Sequence, residues 1–468
     1  MTDVRLRTDA GTIGSAALAA VDPYRLAAAV PWSVGPTGRV VVVGGGKAAA
    51  GLAAGVVAGL HRAGVARGRI DGVISVPVGC GRPVPGVVVR ETRPPAVNEP
   101  TAAVVAATRE MLERVGGLAP ADVAIAVIAG GGSALLEVPV EGVPLPEIVA
   151  VTGALSRAGA GIDDLNTVRR AASAVKAGGL ARACRGGRMV VLVLSDVAGD
   201  SLEIIASGPC MPAPADPAAA RAVLARYRID RAIAPHLFDH LADHLAGHRD
   251  RAAPRTHATA PVGSPAAADP ASDHAWTTPQ GCRVSHRLVG RNATAVAAAV
   301  TAARAAGYDV ATPSPGRPPA ADERAEQVGR RLLARGRDLA AAARRDGRPR
   351  AWIEGGEATV VVPADHGHGG RNQQTVLAAL AAADDWPEGM VLASIATDGE
   401  DGPTDAAGAI ADGHVAAVVD GAVARHGLER CDAYGVLDAA GALVRTGPTG
   451  TNVADLRVVL VRPGGRSP

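Results

Sequence analysis

Four consecutive valines at 40–43, followed by three glycines and a lysine, restrict the fold of this chain more than any other stretch. A continuous β-branched run of this length indicates a strand buried on both faces, as in a parallel sheet. Gly44, Gly45 and Gly46 end the strand, and a helical, alanine-rich stretch begins after Lys47. Glycines at such a junction allow backbone N–H groups to approach an anion at the helix N-terminus. The segment therefore predicts a parallel α/β fold with an anion site after its first strand.

Lysine occurs only at Lys47 and Lys176, so that 46 of the 48 basic residues are arginine. Both lysines lie beside glycines. A compact ammonium and a planar guanidinium are not interchangeable in a tight anion site. We therefore expect both lysines to contact a phosphate or a carboxylate; the alternative is that two lysines survived a bias toward arginine by chance.

The composition argues against several classes of protein. A net charge of +2, with 20% charged and 2% aromatic residues, does not indicate a nucleic-acid partner or a stacking platform for bases. No apolar run reaches the roughly 18 residues of a membrane span, so no membrane partner is expected. The five cysteines are scattered, odd in number and without a CxxC pair. These features favour a reduced, cytoplasmic protein. The sequence leaves open whether it is a homodimer.

The pattern of apolar runs predicts two α/β domains, as expected for a chain of 468 residues. The predicted strands of the first domain cover 40–43, 72–76, 87–90, 123–129 and 189–195. Those of the second cover 351–353, 358–362, 391–396 and 456–461, with helices over 294–306 and 320–335. We predict a Rossmann-like parallel-sheet domain over 1–250, a linker or surface loop over 251–280, and a second α/β domain over 281–468. Because several small-residue loops follow strands of one sheet, they are expected to share one ligand site.

The glycine loop also satisfies the dinucleotide fingerprint GxGxxA through Gly44, Gly46 and Ala49. A nicotinamide-binding fold needs an acidic residue at the end of the second strand to hold the ribose. Residues 74–77 read Ile-Ser-Val-Pro and supply none. An NAD-linked reductase is therefore the weaker alternative.

Acidic loops follow two of the predicted strands. Residues 398–405 contain four carboxylates punctuated by glycine, a pattern that suits magnesium or a phosphate–magnesium complex. The alternative is a set of Asx-turns and a helix N-cap, with the acids solvated. Asp196 directly follows a buried strand and is the candidate general base; its alternative role is to cap the following helix.

Two further loops carry candidate ligand-binding side chains. Arg371 lies in a Gly-Gly-Arg-Asn-Gln turn, where its planar fork matches a phosphate or a carboxylate. The turn at 446–452 carries hydroxyl and amide side chains, among them Thr449 and Asn452, and is predicted to be a binding loop.

Eight motifs in this order resemble the class II glycerate 2-kinase family, whose C-terminal domain is called MOFRL. They lie at 44–47, 130–136, 165–169, 195–200, 206–209, 369–373, 397–408 and 446–452. The resemblance implies ATP- and magnesium-dependent phosphorylation of glycerate at its 2-hydroxyl, with the site in the cleft between the two domains. Some members carry the name hydroxypyruvate reductase.

The resemblance and the residues together predict a set of site residues. Lys47 and Arg371 would hold the transferring phosphoryl group, and Asp196 would accept the hydroxyl proton. Asp398 and Asp401 would hold Mg²⁺, and Lys176 or Arg169 would bind the substrate carboxylate. The remaining expected contacts to substrate or nucleotide are Gly44, Gly45, Gly46, Gly131, Gly132, Ser133, Asn166, Asn372, Thr449 and Asn452.

The chain departs from the family pattern at three positions. Thr92-Arg93-Pro94 stands where the family usually has Gly-His-Pro, and Ala171 stands where a histidine is usual. Glu354 replaces a small residue. We hypothesise that the pocket accepts a related or larger hydroxy acid.

Overall fold

The structure is a computed structural model that describes residues 2–94, 97–212, 215–249, 275–313 and 323–463. Its contacts divide the chain into two compact units. The unit made of Pro23–Leu194 and Ser201–Val289 is called the parallel unit here. The unit made of Met1–Asp22, Ser195–Asp200 and Gly290–Pro468 is called the mixed unit.

The parallel unit is built on a seven-stranded sheet. Its strands are β1 Val40–Gly45, β2 Ile70–Pro77, β3 Val88–Arg93, β4 Val123–Ala129, β5 Arg188–Leu194, β6 Ala275–Thr277 and β7 Arg283–Gly290, in the order β3-β2-β1-β4-β5-β7-β6. Strands β1 to β5 pair in parallel, and β6 pairs with β7 in the antiparallel direction. The predicted parallel sheet is therefore confirmed.

The helices in chain order are α1 Thr2–Ala20, α2 Pro23–Ala28, α3 Ala49–Arg62, α4 Ala102–Gly116, α5 Gly132–Leu135, α6 Leu145–Arg157, α7 Ile162–Ala171, α8 Gly179–Ala183, α9 Pro217–Arg226, α10 Pro235–Arg249, α11 Asn292–Ala305, α12 Ala325–Asp346, α13 Arg371–Ala381, α14 Gly413–Val418, α15 Gly421–Glu429 and α16 Ala433–Ala439. Short 3₁₀ turns lie at Arg67–Arg69, Ala198–Asp200, Ile205–Ser207 and Arg231–Ile233. Helices α2 to α10 belong to the parallel unit, and the others belong to the mixed unit.

Glycines at the end of β1 are required by close packing against β4. A Cβ atom at Gly44 would lie 2.0 Å from the carbonyl oxygen of Val127, and one at Gly46 would lie 2.6 Å from that of Ala129. Both glycines also have φ near +138°, which disfavours any residue with a side chain. The glycine run is therefore needed for the close packing of β1 against β4, independently of any role in binding a ligand.

A second apolar cluster of the parallel unit lies between α6, α7, α9 and α10. Its buried members include Val151, Val168, Ala171, Leu224 and Leu237. Each of these helices contributes an apolar stripe at helical spacing, which is how small helices bury their surface.

The mixed unit contains β8 Asp309–Ala311, β9 Arg350–Gly356, β10 Met390–Ala396, β11 Gly408–Ala411, β12 Leu443–Val444 and β13 Asp455–Val461, in the order β12-β11-β10-β13-β9-β8. Its pairs are antiparallel except for β8 with β9. Helices α12 and α13 bury leucines and valines against this sheet, including Leu332, Leu333 and Val376. The predicted second α/β domain is therefore confirmed.

Helix α1 belongs to the mixed unit although it comes first in the chain. Arg7 forms an ion pair with Asp412, and Asp9 accepts hydrogen bonds from Tyr308 and Arg462 at 2.6 and 3.0 Å. The helix is therefore tied to residues some 300 to 450 positions later in the chain.

The contacts depart from the predicted continuous boundaries at 250 and 281. Residues 1–22 and 195–200 group with the C-terminal residues, and β6 and β7 extend the first sheet. Residues 251–274 of the predicted linker lie outside the described residues, as do residues 314–322, where one predicted helix begins.

The predicted strand over 358–362 is wrong. Only Thr359 makes a bridge, to Arg324, and Val361 and Val362 are exposed. The valines suggested a strand by their β propensity, but no strand in the described ranges pairs with them.

Candidate active site

The loop after β1 positions Lys47 in the parallel unit. The N–H of Gly46 donates to the carbonyl oxygen of Ser75 at 3.2 Å, and that of Lys47 donates to Gly130 at 2.9 Å. The Cγ atom of Lys47 lies 3.6 Å from where a Cβ of Gly131 would stand, so the lysine stem runs beside this glycine. These two backbone donors are already used within the protein. The amides of Gly46 and Lys47 are therefore not available to an anion, and the Lys47 ammonium stays the predicted anion contact of this loop.

The loop after β4 leads into a cluster of small polar side chains. Gly132 begins α5, and a Cβ there would lie 2.7 Å from the Cβ of Ala206. The hydroxyls of Ser133 and Ser207 are 3.1 Å apart, and the Ser207 hydroxyl donates to Asn166 Oδ1 at 3.0 Å. Asn166 is buried, and its Nδ2 has no hydrogen-bond partner among the described residues. A buried donor without a partner costs free energy, so this amide nitrogen is suited to a ligand oxygen.

Lys176 is fully buried and forms an ion pair with Glu137. Its Nζ also donates to the carbonyl oxygen of Leu136 at 2.9 Å. Burial lowers the pKa of Lys176, and the Glu137 carboxylate opposes this effect. Contrary to the expectation for this lysine, its carboxylate partner is a residue of the chain. Lys176 therefore drops out as a direct contact for the substrate.

Arg169 is the remaining cation of this region. Its pKa is lowered by burial and raised by the charge of Glu137, with burial prevailing. Its guanidinium makes no hydrogen bond to any described residue. A half-buried guanidinium without a hydrogen-bond partner among the described residues is the better candidate for the substrate carboxylate.

In the mixed unit, Arg371 begins α13 and is held by Asp455. Its Nε and Nη2 donate to the two carboxylate oxygens of Asp455, both at 2.8 Å, and Glu357 Oε1 lies 3.3 Å from Nη2. Burial works against the charge of Arg371, but the two carboxylates outweigh it and raise its pKa. Its Nη1 makes no hydrogen bond within the described part of the chain. Arg371 is thus a fixed cation with one face available.

Asp401 caps α13 from another loop. Its two oxygens accept hydrogen bonds from the backbone N–H groups of Asn372 at 3.0 Å and Gln373 at 2.8 Å. The Asn372 side chain donates to Asp401 and Asp455, and its Oδ1 accepts from Ser394. Burial raises the pKa of Asp401 to about 6, against the effect of these two N–H groups.

This geometry overturns two expectations. Asp401 is completely buried and both of its oxygens serve the helix, so it does not fit a magnesium site. Asn372 is also buried with its amide engaged on both sides, so it orders Asp401 and Asp455 and is not placed to bind substrate. The alternative considered for the acidic loop, a helix cap, describes Asp401 correctly.

Asp398 and Thr449 join two loops of the mixed unit. The N–H of Thr449 donates to the carbonyl oxygen of Asp398 at 3.1 Å, and its hydroxyl donates to Thr397 at 2.6 Å. Asp398 Oδ1 accepts from the N–H of Glu400 at 3.0 Å, which is an Asx-turn. Within the described ranges, no group of three or more acidic, histidine or cysteine side chains is placed to hold a metal ion. Of the two predicted ligands, Asp401 is engaged by α13, and Asp398 stays a prediction.

Asp196 follows β5 and belongs to the mixed unit. Its Oδ2 accepts a hydrogen bond from Asn452 Nδ2 at 3.0 Å, while Asn452 Oδ1 accepts from the N–H of Ala454. The Asn452 amide therefore orients the Asp196 carboxylate, as the position of a general base requires. The two predicted residues are thus brought together.

Four residues of these clusters were not predicted as site residues: Asp455, Glu357, Glu137 and Ser207. Each stands directly at the edge of an apolar stretch or a glycine motif, as in Ala454-Asp455-Leu456. For Asp455 the available signal was an acid at the start of a buried strand, since a charge in that place needs a partner.

The three departures from the family pattern are buried side chains. Arg93 donates to Asn98 at 2.9 Å, and Ala171 lies in the helical cluster. Glu354 accepts hydrogen bonds from Arg331 at 2.8 and 3.0 Å.

A cavity of about 430 Å³ lies beside Arg371 in the mixed unit. Its lining includes Glu357, Ala358, Val360, Val362, Arg371 and Pro403. It is large enough for a drug-sized ligand.

Comparison with known proteins shows that this two-unit α/β chain is an enzyme of the kinase class. A family model described as "Domain of unknown function (DUF4147)" matches residues 9–242, and the MOFRL family model matches 350–455. The chain belongs to the glycerate kinase family that carries these two domains.

Individual relatives agree with this assignment. The chain is 34% identical over 389 residues to a D-glycerate 2-kinase from Thermotoga maritima, covering 81% of each protein. A crystal structure of a glycerate kinase from Thermotoga maritima matches with a TM-score of 0.76 and 31% identity, covering 98% of this chain and 99% of that one. An Agrobacterium vitis protein with the provisional name hydroxypyruvate reductase is 34% identical over 98% of this chain and 95% of its own length.

Proposed function

We propose that this chain is an ATP-dependent kinase that phosphorylates the 2-hydroxyl of glycerate or a closely related hydroxy acid. The observation that carries the proposal is the fixed guanidinium of Arg371, held by two 2.8 Å hydrogen bonds to Asp455 beside a cavity. Phosphoryl transfer depends mainly on positioning and charge neutralisation, and a rigid guanidinium fork supplies both. Membership of the glycerate kinase family supports the same reaction.

The proposed roles follow the contacts of each residue. Lys47 supplies a mobile charge to the transferring phosphoryl group, and Arg371 supplies a fixed one through its available Nη1. Asp196, oriented by Asn452, accepts the proton of the 2-hydroxyl as that oxygen attacks the γ-phosphorus and ADP leaves. Arg169 binds the substrate carboxylate, with Asn166 Nδ2 as a neighbouring donor.

A magnesium requirement belongs to the same proposal. Mg²⁺ is commonly held by one or two carboxylates together with phosphate oxygens and water. Asp398 is the predicted ligand that remains once Asp401 is assigned to the helix. Magnesium would neutralise charge on the phosphates.

A cytoplasmic location and a homodimer also remain predictions. Within the described ranges, no helix has the length and apolar character needed to cross a membrane.

The first test is ADP release with ATP and Mg²⁺ over a panel of hydroxy acids that includes glycerate. NADH oxidation with hydroxypyruvate is measured alongside. We expect ADP release with glycerate or a near relative and no NADH oxidation. Turnover on a larger acid alone would support the hypothesis of an altered pocket, whereas NADH oxidation without ADP release would overturn the kinase assignment.

A further inference from the structure

Arg371 and Glu357, which lie 3.3 Å apart, form the charged end of the cavity in the mixed unit. Ala358, Val360 and Val362 supply apolar lining, beside the polar Thr359, His366 and Gln374. Val360 is half-buried and Val362 is exposed. Exposed branched side chains that line a cavity offer a flat apolar surface to a planar ligand.

The glycine loop that forms another wall is fixed by the protein itself. The N–H of Gly367 donates to the carbonyl oxygen of Arg430 at 2.8 Å, and that of His368 donates to Asp432 at 3.0 Å. A Cβ at Gly370 would lie 2.3 Å from the Asp401 side chain, so glycine is needed for this packing. The cavity is therefore formed before any ligand binds, and little ordering free energy is lost on binding.

The charged end selects among the possible ligands. Arg371 Nη1 can donate to a phosphate oxygen, while the Glu357 carboxylate, 55% exposed, can accept hydrogen bonds from donors such as hydroxyl groups. A small hydroxy acid would fill only a fraction of the space and would leave the valine surface uncovered. A nucleotide satisfies all three features, with its phosphates at Arg371, its ribose hydroxyls at Glu357 and its base on the valines.

We propose that this cavity binds the nucleoside of ATP, so that the mixed unit carries the nucleotide. The assignment rests on the proposed kinase function. It explains why Val360 and Val362 form no strand, since their side chains would cover a base instead of a neighbouring strand.

The test places a large side chain in the cavity. Val360→Trp fills the apolar end, and Val361→Trp is the matched control because Val361 is 62% exposed and does not line the cavity. ADP binding and inorganic tripolyphosphate binding are measured by titration calorimetry on both variants. We expect Val360→Trp to raise the Kd for ADP by about tenfold or more, equivalent to about 1.4 kcal/mol, with no such effect in the control.

The tripolyphosphate titration separates loss of the nucleoside contact from loss of the fold. Val360→Trp should bind tripolyphosphate as the unchanged protein does, because the phosphate end is not altered. Equal ADP affinity in both tryptophan variants would overturn the nucleoside assignment while ADP release with a hydroxy acid still supported the kinase. Absence of both ADP binding and ADP release in the unchanged protein would overturn both proposals.

Discussion

Asp455 accepts two parallel hydrogen bonds from Arg371, from Nε to Oδ2 and from Nη2 to Oδ1, both of 2.8 Å. The carboxylate is completely buried at the first residue of β13, whereas the guanidinium opens the first turn of α13. The pair therefore fixes the cation to the sheet, and a strand holds the arginine in place more precisely than a loop could.

Asp455→Asn should lower kcat by about 100-fold, because an amide nitrogen would face a guanidinium N–H and the arginine would shift from its position. KM for the hydroxy acid should change little. Steady-state ADP release measures both constants. Asp405→Asn is the control, since Asp405 pairs with Arg445 on the surface. An unchanged kcat in Asp455→Asn would show that the two hydrogen bonds from Arg371 to Asp455 are not needed for turnover.

Asp401 should make the stability of the protein depend on pH. Its pKa is raised from 3.8 to about 6, so the folded state binds the proton more tightly than the unfolded state. Stability from this group is present below pH 3.8 and is lost as the pH rises to about 6, with little change above. The loss is on the order of 3 kcal/mol at most.

Urea unfolding of the wild type and of Asp401→Asn, compared between pH 4 and pH 8, measures this effect. The free energy of unfolding of the wild type should fall relative to the variant between about pH 4 and pH 6. Parallel curves for the two proteins would mean that Asp401 titrates normally.

The ion pair of Lys176 with Glu137 should act on stability. Lys176→Met leaves a buried carboxylate without its cation and should cost about 3–5 kcal/mol. Adding Glu137→Leu removes the uncompensated charge and should recover most of the loss. Urea midpoints of the single and double variants test this, and equal midpoints would contradict the buried pair.

Lys47→Arg, unlike the Lys176 variant, should lower turnover and leave stability unchanged. The stem of residue 47 passes beside Gly131, and a longer, planar guanidinium would carry its charge to a different position from that of the compact ammonium. We expect turnover to fall by about 100- to 1,000-fold, as when one transition-state donor is lost. The melting temperature should be unchanged, and retained turnover would remove Lys47 from the mechanism.

The fold could be predicted where a strand is buried on both faces. The prediction of 123–129 coincides with β4, because an uninterrupted apolar run between polar turns leaves little freedom in its limits. Short edge strands such as β8 and β12 were missed, since three or two residues carry no periodicity. The valines at 360–362 led to a wrong strand prediction, because a local β preference does not provide a second strand to pair with.

The site could be predicted to the level of its loops but not of its contacts. The carboxylates of Asp401 and Asp398 look alike in sequence, and only the position of α13 decides that one caps a helix. Lys176 likewise meets Glu137 from 39 residues away, a pairing that no local pattern encodes. For Arg371, by contrast, the glycine turn predicted an inward-pointing cation, which agrees with its pairing to Asp455, while its role in the reaction stays a prediction.

The placement of α1 has a consequence for how the chain acquires its structure. Residues near its start, such as Asp9, bind residues as distant as Arg462, and Thr451 donates to the carbonyl oxygen of Val21 at 2.8 Å. Closing so long a loop is slow, because its entropy is lost before the contacts form. During synthesis α1 therefore lacks these contacts until β13 has left the ribosome. A fragment that begins at residue 275 would lack this helix and should be an aggregation-prone, incomplete unit.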